Sequence, residues 1–217
     1  MVFSSYIFLF VFLPAFLVGY GCLPRKGKNV CLTVASYVFY GSWRPDFCLL
    51  MLFSTLVDYL AARSMGERQP GEPSGPGRVR WLWLSMVTNL GLLGFFKYSG
   101  LLAGSGNALG EAWSLPGLDP AWTKWLEDLV LPVGISFYTF QSMSYTIDVY
   151  WGRVRPVRSL LDLACYVSMF PQLVAGPIVR YRDVEAQLAE RTHSFRMVSD
   201  GCLLIMVGLA KKVLVAD

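Results

Sequence analysis

The chain alternates between long apolar runs and short segments that carry most of its charge. A helix of roughly 20 apolar residues crosses the hydrocarbon core of a bilayer, and several of these runs approach that length. The runs that we expect to cross are 2–23, 30–41, 47–62, 81–96, 131–151 and 201–215. The pattern therefore predicts an all-α, polytopic integral membrane protein with about six transmembrane helices.

One further apolar run, 160–174, is short, and basic residues flank both of its ends. Pro171, Gly176 and Pro177 would break a helix in this region. Non-helical backbone is tolerated at membrane depth only where protein or water surrounds it. We therefore predict a re-entrant or interfacial segment at 160–174.

The run 131–151 is apolar enough to enter a membrane, yet it carries several polar side chains. Read as one helix, it places four of them at three- and four-residue steps along a single stripe. The four are Tyr138, Gln141, Tyr145 and Asp148. Hydroxyl, amide and carboxylate groups are costly against lipid, so we predict that this stripe faces other helices or a wet cavity.

Two readings of Asp148 stay open. It lies close to Arg153 and Arg155, so it is either an interfacial carboxylate that balances these arginines or part of a lining. In the second reading Asp148, Tyr145 and Gln141 line a cavity open to the cytoplasm and position a substrate.

Composition and charge agree with a membrane protein. Hydrophobic residues make up 54% of the 217 residues and charged residues only 16%, against about 25% charged residues in soluble domains. The net charge of +4 comes from basic residues in short loops, which indicates topology and not nucleic-acid binding. Basic residues after the first run place that end in the cytoplasm, so the N-terminus is expected outside.

The polar segments fit the same topology. Residues 63–80 contain several arginines around the sequence GEPSGPG and are predicted to form a flexible cytoplasmic loop. Residues 97–124 are rich in Gly, Ser and Trp, and we predict an outer-face excursion that rests among lipid headgroups.

The segment 170–183, FPQLVAGPIVRYRD, is a second candidate site. Its prolines and glycine free backbone groups that a continuous helix would use, and arginines follow at once. The donor-side candidates are Gly176, Pro177, Arg180 and Arg182. Such a segment can bind an anionic cofactor, or it can be a structural hairpin whose arginines face lipid phosphates.

Other chemistries find little support. The five cysteines form no CxxC pair and the chain has one histidine, so no metal site is predicted. His193 lies in a charged segment without a positioned partner, and we do not predict it to be catalytic. No GxSxG turn, Walker loop or dinucleotide fingerprint is present. Asn89 is predicted to be a hydrogen bonder in helix packing.

Five stretches carry a family resemblance: MVFSSYIFLFVFLP, NVCLTVASYVFYGSW, FFKYSG, LPVGISFYTFQSMSYTIDVYWG and MFPQLVAGPIVRYRDV. In this order they resemble the N-terminal half of the membrane-bound O-acyltransferase family. The similarity is greatest to its bacterial branch of alginate O-acetyltransferases and related enzymes that acetylate polysaccharides.

The resemblance implies a multi-pass enzyme of the bacterial inner membrane, in contact with membrane lipids. It would move an acetyl group from cytoplasmic acetyl-CoA to an exopolysaccharide acceptor such as alginate, with periplasmic or membrane-anchored acetyl-transfer partner proteins and no bound cofactor. By this resemblance, the catalytic histidine would lie in the C-terminal half of the full-length enzyme, outside residues 1–217. Residues 1–217 are therefore expected to be the N-terminal part of one membrane domain and inactive alone, with the stripe and the FPQLVAGP segment as scaffold and tunnel lining.

Two alternatives remain. Polar stripes and broken helices also mark transporters and flippase-like proteins, but these predict a second related set of broken helices, which the sequence lacks. In the second alternative, the chain is a truncated, non-catalytic scaffold that inserts into the membrane and associates with its pathway partners.

Overall fold

The computed structural model describes residues 3, 5–68, 75–112, 124, 126, 129–173, 176–191 and 194–216. Over these residues the regular structure is helical throughout and no strand occurs, which confirms the all-α prediction.

The described residues form nine α-helices, flanked by the π-helical turns Phe8–Phe12 and Lys212–Ala216. In chain order the nine are α1 (Leu13–Cys22), α2 (Arg25–Gly41), α3 (Asp46–Met65), α4 (Pro76–Ala112), α5 (Ile135–Tyr150), α6 (Leu160–Ser168), α7 (Phe170–Leu173), α8 (Tyr181–Ala189) and α9 (Phe195–Lys211).

Two of these helices are long and apolar enough to cross a membrane, namely α3 and the part Pro76–Leu102 of α4. Helix α4 continues past Phe96 to Ala112, so the first part of the predicted outer-face segment is helical. Helices α3 and α4 also enter the predicted loop 63–80 from both sides. On which side of the membrane these segments lie stays a prediction.

The central helix is shorter than predicted. We expected one helix over 131–151, but α5 begins at Ile135 and ends at Tyr150. Gly134 has φ +77°, a left-handed conformation, and the residues before it, including Pro132, are not helical. Sixteen residues give a helix of about 24 Å at 1.5 Å per residue, which is shorter than a bilayer core of roughly 30 Å.

Helix α5 occupies the middle of the bundle. It packs against α3, α4 and α6, while α6 also packs against α2 and α3. The short helix α7 is anchored by Phe170, whose ring lies within 5.3–6.1 Å of four other phenylalanine rings. These belong to Phe8, Phe12, Phe16 and Phe39. The N-terminal segment is thereby packed onto the break between α6 and α7.

Polar side chains are buried in this bundle while large apolar ones are exposed. On α4, Ser85 and Asn89 are buried, whereas Leu84, Val87 and Leu90 are exposed. Helix α9 has no buried residue, although it is rich in large apolar side chains. Buried polar groups together with extensive exposed apolar surface are informative departures from a soluble fold. With the two long apolar helices, they support a membrane location.

Candidate functional site

The polar stripe of α5 faces the protein interior, as predicted. Tyr138, Gln141 and Asp148 are each 2% exposed and Tyr145 is 0% exposed, whereas Phe140 on the other side of the helix is 46% exposed. The three- and four-residue spacing therefore identified the inward face of α5 correctly.

Gln141 connects α5 to the broken α6–α7 segment. Its side-chain Nε2 donates to the Tyr166 carbonyl at 2.8 Å and lies 3.4 Å from the Gln172 Oε1. The Tyr166 hydroxyl in turn donates to the Val179 carbonyl at 2.7 Å. The Gln141 amide thus links the central helix to α6 and to the FPQLVAGP segment, and the Tyr166 hydroxyl extends this link to Val179.

Tyr145 joins α5 to two further segments. Its hydroxyl accepts a hydrogen bond from the Val157 backbone N–H at 3.0 Å, and its ring meets the Tyr181 ring at 5.3 Å. The Tyr181 ring also meets the Tyr166 ring edge to face at 5.2 Å. Burial, and to a smaller extent Glu185, raises the pKa of Tyr181 above the ordinary phenol value.

Asp148 pairs with one of the two arginines that the sequence placed near it. Its Oδ1 lies 3.6 Å from the Arg153 Nη1, and the Arg153 guanidinium lies 4.3 Å from the Trp151 ring centroid. The Asp148 Oδ2 and the Tyr138 hydroxyl make no hydrogen bond with any residue that the structure describes. The pairing with Arg153 agrees with the interfacial interpretation of Asp148, whereas its burial and its Oδ2, which no described residue binds, agree with the lining interpretation.

The segment after α6 is broken, and the break lies at Met169, before Pro171. Pro171 lacks the N–H that would donate to the Val167 carbonyl, so α6 cannot continue through it. The Phe170 N–H donates instead to the Ser36 hydroxyl of α2 at 3.2 Å. The prediction of a proline-dependent break is confirmed, and the break lies about two turns before Gly176.

Two glycines allow close backbone contacts here: Gly134 lets the segment approach the start of α5, and Gly176 lets the segment fold back on α7. A Cβ on Gly134 would overlap the Leu173 carbonyl oxygen, and one on Gly176 would lie 2.6 Å from the Gln172 Cα. The Gly176 N–H donates to the Gln172 carbonyl at 3.1 Å. The two stretches that the sequence analysis selected are therefore brought into contact at the start of α5.

The donor-side candidates do not form a cluster. Gly176 packs against α7, whereas Pro177, Arg180 and Arg182 are exposed. The Arg182 Nε lies 3.5 Å from its neighbour, the Asp183 carboxylate. A cavity of about 300 Å³ lies nearby, beside Tyr181. Its charged lining residues are Arg155, Arg158, Glu67, Asp162 and Glu185, and more carboxylates than guanidinium groups do not favour an anionic ligand there.

The sequence analysis missed a second polar cluster, centred on Asp58 of α3. The Ser85 hydroxyl donates to its Oδ1 at 2.5 Å, and the Asn89 amide lies 2.8 and 3.0 Å from its two oxygens. The Ser142 hydroxyl of α5 donates to the Oδ2. Asp58 is 0% exposed, so these neutral donors replace water around its carboxyl group.

Each helix contributes a pair of polar residues four positions apart to this cluster. The pairs are Ser54 and Asp58, Ser85 and Asn89, and Ser142 and Thr146. The Ser54 hydroxyl donates to the Asn89 Oδ1 at 2.7 Å. The packing role predicted for Asn89 is confirmed. The i, i+4 spacing of polar residues in each of three apolar helices indicates an inward face on each helix, but it does not indicate which helices meet.

His193 lies outside the described residues, and so do Val174 and Ala175 of the FPQLVAGP segment.

Comparison with known proteins supports the resemblance. Over all 217 residues the chain is 43% identical to a probable alginate O-acetylase AlgI of Pseudomonas putida, of which it covers 43%. The chain is similar to alginate O-acetylases along its whole length. The AlgI relative of Azotobacter vinelandii is 42% identical over 217 residues, and 42% of it is covered. This similarity confirms the predicted resemblance to the alginate O-acetyltransferase branch.

A more distant relative carries out a related reaction. The peptidoglycan O-acetyltransferase of Helicobacter pylori is 30% identical over 251 residues, with 100% of this chain and 45% of the relative covered. The chain spans less than half the length of the curated relatives that it matches. No protein-family model and no solved structure matches the chain.

Proposed function

We propose that this chain is part of a membrane O-acyltransferase that transfers acetyl groups to an exported polysaccharide such as alginate. The observation that carries the proposal is 43% identity over the full 217 residues to an alginate O-acetylase. A second acetylating relative acts on another cell-surface polymer, peptidoglycan, according to its name. Acetyl-CoA on the cytoplasmic side is the proposed donor, and acetyl-transfer proteins outside the cytoplasm are the proposed partners.

We place the chain in the bacterial inner membrane with about six crossings and the N-terminus outside. The segment 160–174 would be re-entrant, because α6 has nine residues and α7 four, and neither can span a bilayer. Basic residues on both sides of α6–α7 then share the cytoplasmic face. Residues 63–80 would lie in the cytoplasm and 97–124 outside.

In this proposal the stripe and the broken segment support the acyl-transfer passage. Gln141 and Tyr145 hold α5 against α6, α7 and α8 through the bonds described above. The Tyr138 hydroxyl and the Asp148 Oδ2 are buried and make no hydrogen bond with a described residue. This is what we expect of atoms that line a passage. The acetyl donor would approach this passage from the side that carries Gly176, Pro177, Arg180 and Arg182.

A chimera tests the function. Residues 1–217 replace the matching segment of the Pseudomonas putida AlgI, and the gene is expressed in a strain that lacks its own alginate O-acetylase. We expect acetyl esters on the exported alginate, measured per uronate residue. The control is a chimera in which the matching segment of the Azotobacter vinelandii AlgI replaces the same part of the Pseudomonas putida protein. The Azotobacter vinelandii and Pseudomonas putida proteins are almost equally similar to this chain. Acetylation by the control but not by our chimera, at equal membrane levels, would contradict the proposal.

A further inference from the structure

An apolar cavity of about 340 Å³ lies between α1, α2, α7 and α8. Its apolar lining includes Phe16, Leu17, Leu32, Phe170 and Leu188. Leu17 is 48% exposed, so the cavity opens on the outer surface of the bundle, where α1 presents apolar side chains. A hydrocarbon chain is the kind of group that such walls accommodate.

One end of this cavity is cationic. Tyr20 and Arg191 belong to its lining, and the Arg191 Nη1 donates to the Tyr20 hydroxyl at 2.9 Å. The Arg191 guanidinium lies 5.8 Å from the Tyr20 ring centroid, and the Lys28 Nζ lies 5.1 Å from the same centroid. Two positive charges therefore lie near one aromatic ring that lines the cavity; Arg191 lines the cavity itself, whereas Lys28 reaches it only through the Tyr20 ring.

Neither of these two charges pairs with a carboxylate of a described residue. Among the described residues, no Asp or Glu oxygen lies within 4.0 Å of the Lys28 ammonium or the Arg191 guanidinium. Asp162, the carboxylate on nearby α6, accepts a hydrogen bond from Asn29 at 2.8 Å instead. Two like charges around one ring repel each other, and an anion between them would relieve the repulsion.

We propose that this cavity binds an anionic phospholipid. Its acyl chain lies along the apolar walls, and its headgroup phosphate accepts charge-assisted hydrogen bonds from Lys28 and Arg191 beside the Tyr20 hydroxyl. Basic pockets between membrane helices on the cytoplasmic side are typical sites for acidic lipid headgroups. Apolar walls next to two cations favour a lipid over free phosphate, because free phosphate has no acyl chain to bury against these walls.

The test uses the purified 217-residue chain in detergent and native mass spectrometry of its monodisperse fraction. We expect palmitoyl-oleoyl phosphatidylglycerol to bind more tightly than the phosphatidylcholine with the same acyl chains. Lys28→Gln with Arg191→Gln should weaken phosphatidylglycerol binding about tenfold or more, because each change removes a hydrogen bond from a charged donor. Lys28→Gln alone, which leaves the Arg191–Tyr20 bond intact, should weaken it by a smaller factor.

Arg63→Gln is the matched control. Arg63 also lies over a tyrosine ring, 6.0 Å from the Tyr59 centroid, with its Nη1 3.5 Å from the Tyr59 hydroxyl, but it does not line the cavity. We expect this variant to bind phosphatidylglycerol like the unchanged chain. Equal loss in Arg63→Gln and in the double variant would overturn the proposal.

A second pair of variants tests the apolar part. Leu17→Trp places a larger ring in the cavity, whereas Val18→Trp enlarges the next side chain, which is exposed and outside the lining. Only Leu17→Trp should weaken phosphatidylglycerol binding. Equal binding of the two lipids would show that the headgroup charge is not recognised. Competition by millimolar inorganic phosphate as effective as that by the lipid would show that no acyl-chain site exists. Either result would overturn the proposal.

Discussion

Gln141 shows how a single buried side chain determines the arrangement around the central helix. Its amide satisfies the Tyr166 carbonyl, which lies near the end of α6, where no further turn of that helix follows. A carbonyl without a partner in such a place costs about 1–3 kcal/mol. The same amide approaches Gln172 of α7, so its loss affects both sides of the break.

Gln141→Ala should therefore lower acetyl transfer by the chimera while membrane insertion stays intact. We expect the rate of acetyl transfer to fall roughly tenfold. Misplaced groups raise the activation free energy, and a rise of about 1.4 kcal/mol corresponds to a factor of ten in rate. Acetyl esters per uronate residue are the readout, with membrane levels measured in parallel. Phe140→Ala, one position away on the exposed side of α5, is the control and should keep most of its activity. Equal activities of the two variants would remove the role assigned to Gln141.

Asp58→Ala should destabilise the bundle more than a surface change on the same helix. The change removes the carboxylate acceptor of the Ser85, Asn89 and Ser142 donors, and a buried donor left unsatisfied costs about 1–3 kcal/mol. Ser85 and Asn89 keep second acceptors in the Thr146 hydroxyl and the Ser85 carbonyl. Thermal unfolding in detergent measures the effect. Asp46→Ala is the control, because the Asp46 side chain is 74% exposed and its ion pair among the described residues is with Arg44. A melting temperature of Asp58→Ala equal to that of the control would show that the cluster does not hold the helices.

The contrast between these two clusters explains what the sequence revealed at the residue scale. Tyr138, Gln141, Tyr145 and Asp148 lie on one helix, so helical periodicity alone predicts their common face. Asp58 meets partners that are 27 to 84 positions away in the chain. Helical periodicity cannot bring α3, α4 and α5 together, and Asp58 therefore was not predicted to belong to a site.

At the scale of elements, the start of α5 depends on a glycine. Gly134 combines a left-handed φ of +77° with close approach to the Leu173 carbonyl of α7. Hydropathy extended the helix to Leu131 because the preceding residues are apolar, but hydropathy does not report backbone conformation. The break between α6 and α7 was easier to predict, since Pro171 removes a hydrogen-bond donor whatever its surroundings.

Gly134→Ala should lower the melting temperature in detergent. The left-handed conformation costs a residue with a Cβ about 1–2 kcal/mol, and the overlap with Leu173 adds to this. Gly91→Ala is the matched control, because a Cβ at this position of α4 meets no atom within 4 Å. We expect the control to unfold at or above the temperature of the unchanged chain. Unfolding of both variants at the same temperature would contradict the close packing of α5 on α7.

At the scale of the whole molecule, the chain buries polar groups and exposes apolar ones. Composition and the length of the apolar runs predicted this arrangement, because a bilayer replaces water as the solvent. They did not predict the lengths of all apolar helices, since α5 and α6 are shortened by the backbone at their ends. The order of the helices in the bundle required the structure.

The re-entrant segment makes a prediction about topology. In a variant whose five native cysteines are replaced by serine, Arg155→Cys and Arg180→Cys should both react with a membrane-impermeant maleimide from the cytoplasmic side. Both positions are exposed, so access does not depend on unfolding. Inverted vesicles and intact spheroplasts separate the two faces. Labelling of the two positions from opposite sides would show that 160–174 crosses the membrane.

The orientation of α5 is the claim on which the proposed passage depends, and lipid accessibility measures it directly. Spin labels on Phe140→Cys and Gln141→Cys, in the same serine-substituted background and in bilayers, report collision with dissolved oxygen. We expect frequent collisions at position 140 and few at position 141, because these side chains are 46% and 2% exposed. Collision rates at position 141 as high as those at position 140 would place Gln141 against lipid and contradict the account.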